Sequence, residues 1–77
     1  MSFNSHRRML LDKSQSFSHR ALRARSCALL VSRKLGVERG ILIELVQSKT
    51  GVDLHAPQSS GELLIALEEL TSMRIAQ

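Results

Sequence analysis

The residues in this 77-residue chain best equipped for chemistry are its arginines and lysines, and they are unevenly placed. Residues 1–35 carry eight basic side chains (Arg7, Arg8, Lys13, Arg20, Arg23, Arg25, Arg33 and Lys34) against one acid, Asp12. Residues 36–77 carry three bases (Arg39, Lys49 and Arg74) against six acids, so a half of charge +7 adjoins one of −3 and the chain nets +4. Asymmetry over so short a distance points to a basic element meant for an anionic partner. Nucleic acid, an anionic membrane surface and an acidic protein, a second copy of this chain included, all answer that description.

Catalysis finds no comparable set of residues. Cys27 sits in the apolar run Cys27-Ala28-Leu29-Leu30-Val31 and reads as a small core residue. His6, His19 and His55 are scattered, none three to five residues from another ligand, so no metal site is expected. Gly36, Gly40, Gly51 and Gly61 fall at helix ends or inside a helical pattern, which leaves no glycine-rich phosphate loop. A non-enzymatic protein without cofactor or metal is the expectation.

A single cysteine rules out a disulfide within the chain and fits a reducing, cytoplasmic compartment. The Arg- and Ser-rich N-terminal half also has the composition of a mitochondrial targeting segment, though cleaving it would leave too little chain to fold alone. No run approaches the 18 or so apolar residues of a membrane span. A membrane-surface role would fall to Met9-Leu10-Leu11 and its flanking arginines.

Aromatic side chains are scarce: Phe3 and Phe17 are the only two, with no Trp or Tyr. The core must come from Leu, Ile, Val, Ala and Met, which suits packed helices and offers no platform for stacking unpaired bases. The expected fold is all-α, a small three-helix domain over residues 18–77 behind a flexible basic arm at 1–17. The helices are predicted at about 18–35, 38–50 and 60–74. Ser18 is the predicted N-cap of the first, and Gly36 and Gly51 are stops. Ser59 and Glu62 frame a capping box ahead of the third. The middle helix, with Ile41, Leu42, Ile43, Leu45 and Val46 around its circumference, is expected to be the most buried.

Ala21, Ala24, Ala28, Val31 and Leu35 recur at spacings of three and four, a seam small enough for another helix to approach closely. Leu64 and Ile65 lie off the stripe of Leu63, Ala66, Leu67, Leu70 and Met73. A homodimer joined through Ala21, Ala24 and Ala28 or through Leu64 and Ile65 is therefore expected.

The segment Val31–Leu45 resembles in its spacing the helix-turn-helix of bacterial repressors. Ser32, Leu35, Gly36, Val37, Leu42 and Leu45 stand where that motif wants a small residue, a turn glycine and apolar contacts. The outward positions depart from it: Arg39 is suited to reading a base edge, while Glu38 and Glu44 would face phosphates. Gly61–Leu70 resembles the second helix of acyl carrier proteins, but Ser60 lacks the Asp-Ser-Leu turn that carries their prosthetic group. The expectation is a small regulatory protein acting by binding. Its first reading is nucleic-acid recognition through Arg7, Arg8, Arg20, Arg23, Arg33, Lys34 and Arg39. The alternative is an adaptor or inhibitor that docks its basic half on an acidic protein.

Overall fold

The computed structural model describes residues 2–75, which form four helices: α1 (Phe3–Leu11), α2 (Phe17–Leu35), α3 (Arg39–Thr50) and α4 (Ser60–Ile75). No strand occurs among the described residues, and the all-α expectation holds. The helix count differs from the predicted three because residues 3–11, expected as part of an arm, form a helix packed against α2. Its buried residues are Phe3, His6 and Leu10, spaced three and four apart, and the Ser2 hydroxyl caps it by accepting the Ser5 N–H at 3.2 Å. One face of α1 thus enters the core while Arg7, Arg8 and Leu11 stay outside.

α2 is the central element, touching α1, α3 and α4. Ser16, two residues ahead of the predicted cap, accepts the His19 N–H at 3.2 Å. At the other end Gly36 adopts φ 72°, and the Val37 N–H reaches the Ser32 carbonyl at 3.0 Å. A left-handed residue at this point satisfies carbonyls that the helix leaves open, and glycine adopts it without a Cβ clash. Ala21, Ala24, Ala28 and Val31 are all buried. The small seam is covered within the chain, so it is unavailable to a second copy, contrary to the dimer expectation for Ala21, Ala24 and Ala28. It also moves the centre of the fold from α3 to α2. α3 buries Leu42, Ile43 and Val46 on one face and leaves Ile41 and Leu45 outside.

Side-chain bonds fix the directions of the helices. The Arg74 guanidinium lies 4.8 Å from the centre of the Phe3 ring, which places the end of α4 beside the start of α1. The Lys34 Nζ donates to the Arg74 carbonyl at 3.0 Å, bringing the end of α2 to the same place. Hence α2 and α4 run parallel and α1 runs antiparallel to both. Lys49 and Glu69 pair at 3.5 Å between α3 and α4. Ahead of α4 the Ser59 hydroxyl accepts the Glu62 N–H at 3.2 Å, and the Glu62 carboxylate accepts from the Gln58 N–H at 2.8 Å. The predicted capping box is present with its return bond one residue earlier.

Three helices meet at Arg20. Its Nε donates to the Leu10 carbonyl at 2.6 Å and one terminal nitrogen donates to the Ser60 hydroxyl at 2.9 Å, on a residue that is 7% exposed. Leu10 lies in the last turn of α1, where carbonyls have no partner inside the helix. Hydrogen bonds from a charged donor to buried acceptors contribute about 1.5–3 kcal/mol. Arg20→Ala should therefore cost about 2 kcal/mol and lower Tm by about 8–16 °C in a domain this small. The loss should persist in high salt, because a buried bond is little screened. Arg20→Lys should fail to restore it, since an ammonium lacks the planar fork that reaches both acceptors. Thermal unfolding followed by circular dichroism checks each point.

Candidate functional site

The seven basic residues nominated from sequence divide into two groups. Arg7 and Arg8 on α1, Arg33 on α2 and Arg39 at the start of α3 are exposed. Arg20 is buried in the bonds just described, so it is withdrawn from any phosphate-contacting set. Arg23 is half-buried, with a terminal nitrogen 3.5 Å from His6 Nδ1. Lys34 is exposed, yet its ammonium caps the end of α4. Arg25 behaves similarly, donating to the Leu54 carbonyl at 3.2 Å and tying the connector between α3 and α4 to α2. Arg20, Arg25 and Lys34 share one physical reason: packed helices and turns present carbonyls with no backbone partner, and long cationic side chains on the central helix reach them.

The corner between α2 and α3 has part of the expected helix-turn-helix packing. Ser32 is buried at the crossing, with its hydroxyl donating to the Leu29 carbonyl at 2.7 Å, and Leu42 is fully buried. Leu45, which the motif's spacing places in the inner face, is instead 42% exposed, and Ile43 and Val46 take the inner positions. The outward face of the corner is consequently apolar: Val37 is 37% exposed and Ile41 is 48% exposed. Ile41 and Leu45 are one turn apart on one side of α3, and Val37, just ahead of that helix, is exposed as well. Glu38 and Glu44 are exposed beside them. A face of three aliphatic side chains and two carboxylates presents few donors to base edges or phosphates.

Leu64 and Ile65, the other nominated dimer contacts, are both exposed. Leu64 lies at the wall of a groove between α1 and α4 that Leu11, Glu68 and Ile75 also line. From sequence, Val37 and Leu45 had only an inner helix-turn-helix role and Leu11 only a membrane-surface one, and Glu68 and Ile75 were not singled out.

Two titratable groups are shaped by burial. His6 is held below the ordinary histidine value, first by burial and then by the charge of Arg23. Cys27 is fully buried, with its thiol 4.0 Å from the Phe3 carbonyl, and burial pushes its pKa up to about 11. At neutral pH the thiol is protonated, a poor nucleophile. Among the described residues no group of three His, Cys, Asp or Glu side chains could hold a metal ion. No helix there is long and apolar enough to cross a membrane.

The histidine gives a pH prediction whose sign follows from linkage. A histidine with a depressed folded pKa stays neutral in the native state while the unfolded chain takes up a proton near pH 6.5, so stability falls as pH drops below that value. Urea unfolding at pH 7.5, 6.5 and 5.5 should show a falling midpoint, and His6→Gln should flatten that fall. Cys27 acts at the other extreme: with its folded pKa above the unfolded one, its contribution is lost as pH rises above about 9 towards 11. Comparison with protein-family models, with curated proteins and with solved structures finds no match for the chain.

Proposed function

We propose that this chain is a small non-enzymatic regulatory protein that acts in the cytoplasm by binding an acidic, amphipathic protein segment. The observation that carries this reading is the outward face of the α2–α3 corner, where Val37, Ile41 and Leu45 present an aliphatic stripe to water. An amphipathic helix recognises such a stripe with its own apolar residues at matching turns. Arg33 and Arg39 are exposed on the helices that form the corner and favour a partner with carboxylates flanking its apolar side. Cytoplasmic residence is supported by the one cysteine being a buried thiol without a disulfide.

Nucleic-acid recognition has weaker support from the geometry. Arg20 and Arg23 make bonds within the fold, and a recognition helix would have to lay Ile41 and Leu45 against a polar groove. The exposed residues of the nominated basic set are spread over three helices, Arg7 and Arg8 on α1, Arg33 and Lys34 on α2 and Arg39 on α3.

A pair of titrations separates the two readings. Amide NMR spectra are recorded as the chain is mixed with a synthetic acidic helical peptide carrying Leu at every third and fourth position, and separately with random 20-base-pair duplex DNA in 50 mM salt. The peptide should shift resonances across Val37–Ser48, and Ile41→Glu together with Leu45→Glu should abolish those shifts without loss of helix content. DNA should give no saturable binding. Saturable DNA binding with a log–log salt slope near −3.6, about four phosphates at roughly −0.9 each, would replace this reading with the nucleic-acid one.

A further inference from the structure

The α1–α4 groove has a property that the α3 stripe lacks, which is walls of opposite charge. It encloses about 420 Å³. Its apolar surface includes Leu11 on one wall and Leu64 and Ile75 on the other, all three exposed. Arg7 stands on the α1 wall and Glu68 on the α4 wall, both exposed and both lining the groove. Along α4, Leu64, Glu68, Thr71 and Ile75 recur at steps of four, three and four, the spacing of a seam that another helix can follow.

We propose that a second copy of this chain occupies the groove, related to the first by a two-fold axis running along it. A partner of uniform charge would be attracted to one wall and repelled by the other. The occupant must be negative opposite Arg7, positive opposite Glu68 and apolar between. The chain's own groove, turned over about its length, meets that description: the α4 wall of one copy comes over the α1 wall of the other. Each Arg7 then faces the second copy's Glu68, and the pair occurs twice.

The helix directions agree with this arrangement. α1 is antiparallel to α4 within one copy, and rotation about an axis along the groove leaves the direction of α4 unchanged. Each α1 is therefore antiparallel to the second copy's α4 as well. The four helices form a layer in which every neighbour runs the opposite way, as in an antiparallel four-helix bundle. Arg7 lies one turn along α1 from Phe3, and Phe3 is level with Arg74. Stepping back along α4 by about 6 Å, at roughly 1.5 Å per residue, reaches residue 70, which leaves Glu68 about 3 Å further along. An offset of that size is within the reach of an arginine and a glutamate side chain, so the pair can form about this axis.

Exposed ion pairs add little affinity, so the apolar residues hold the dimer while Arg7 and Glu68 set its register. This interface is separate from the α3 stripe and does not rest on the function proposed for it.

Sedimentation equilibrium tests the arrangement, with circular dichroism confirming that each variant keeps its helix content. The wild-type chain should sediment as a dimer at high micromolar concentration. Leu64→Glu should give monomers, and Ile75→Glu, in the last turn where folding is least at risk, should do the same. Arg7→Glu and Glu68→Arg should each weaken dimerisation about ten-fold, because each places like charges together at two points. The double variant carrying Arg7→Glu and Glu68→Arg should return to within about three-fold of wild type, while Ile41→Glu on α3 leaves it unchanged. A wild-type monomer at that concentration would overturn the proposal. So would a dimer indifferent to Leu64→Glu and Ile75→Glu, or a double variant that associates no better than the singles.

Discussion

Arg20 is the constraint on which the arrangement of helices depends. It rises from the first turns of α2 and is bonded both to the last turn of α1 and to the first residue of α4. A guanidinium in the interior is tolerable only when its donors meet acceptors, and those acceptors belong to two other helices. Placing Arg20 therefore fixes where α1 ends and where α4 begins relative to α2. A second set of cross-links acts at the opposite end, where Lys34, Arg74 and Phe3 gather the end of α2, the end of α4 and the start of α1. Between these two ends the alanines of α2 allow close approach. The geometry of the α1–α4 groove follows from the pair of clamps.

The same reasoning explains how a chain with one cysteine and two phenylalanines holds four helices together. A domain of this size has a small core and is commonly reinforced by disulfides or a metal. Here part of the reinforcement comes from long cationic side chains bonded to carbonyls: Arg20 to Leu10, Arg25 to Leu54 and Lys34 to Arg74. Each carbonyl lies at a helix end or in a connector, where the backbone cannot satisfy it. α2 faces all three because it is the helix that the others surround.

Much of the fold was legible because it depends on local rules. Gly36 and Gly51 end helices in the left-handed conformation, at φ 72° and 80°, and the apolar periodicity placed α2, α3 and α4 within about one residue of their observed bounds. α1 was missed for a specific reason. Its buried stripe is Phe3, His6 and Leu10, and a histidine in the middle position hides the three-then-four spacing from any reading of apolar residues alone. Ser2 as a cap was the other available signal. The site was less legible than the fold. Charge is visible in sequence, but whether an arginine faces water or a carbonyl depends on which helix end lies next to it. That is a tertiary fact: Arg20 and Arg33 look alike in the sequence, and one is buried while the other is exposed.

On the proposed reading, the two surfaces left over would divide the work of recognition in a way that the overall charge obscures. Bonding a guanidinium to a carbonyl neutralises none of its charge, so the basic half would still draw an acidic partner from a distance. Contact is another matter, because it is decided by the side chains that reach the surface. Those on the α2–α3 corner are aliphatic with exposed charges of both signs around them, and those along the α1–α4 groove are aliphatic between one arginine and one glutamate. Long-range attraction and short-range fit thus rest on different residues. Removing an exposed arginine acts mainly on the rate of encounter, whereas a charge placed on Ile41 or Leu64 strikes the contact itself. The distinction would also separate the surfaces from each other: an aliphatic stripe on α3 would leave its partner's apolar register loosely constrained, while opposed charges across the groove would demand a partner with both signs at fixed places. A chain that carries such a pair on its own surface could supply that partner by symmetry, as the proposed dimer does.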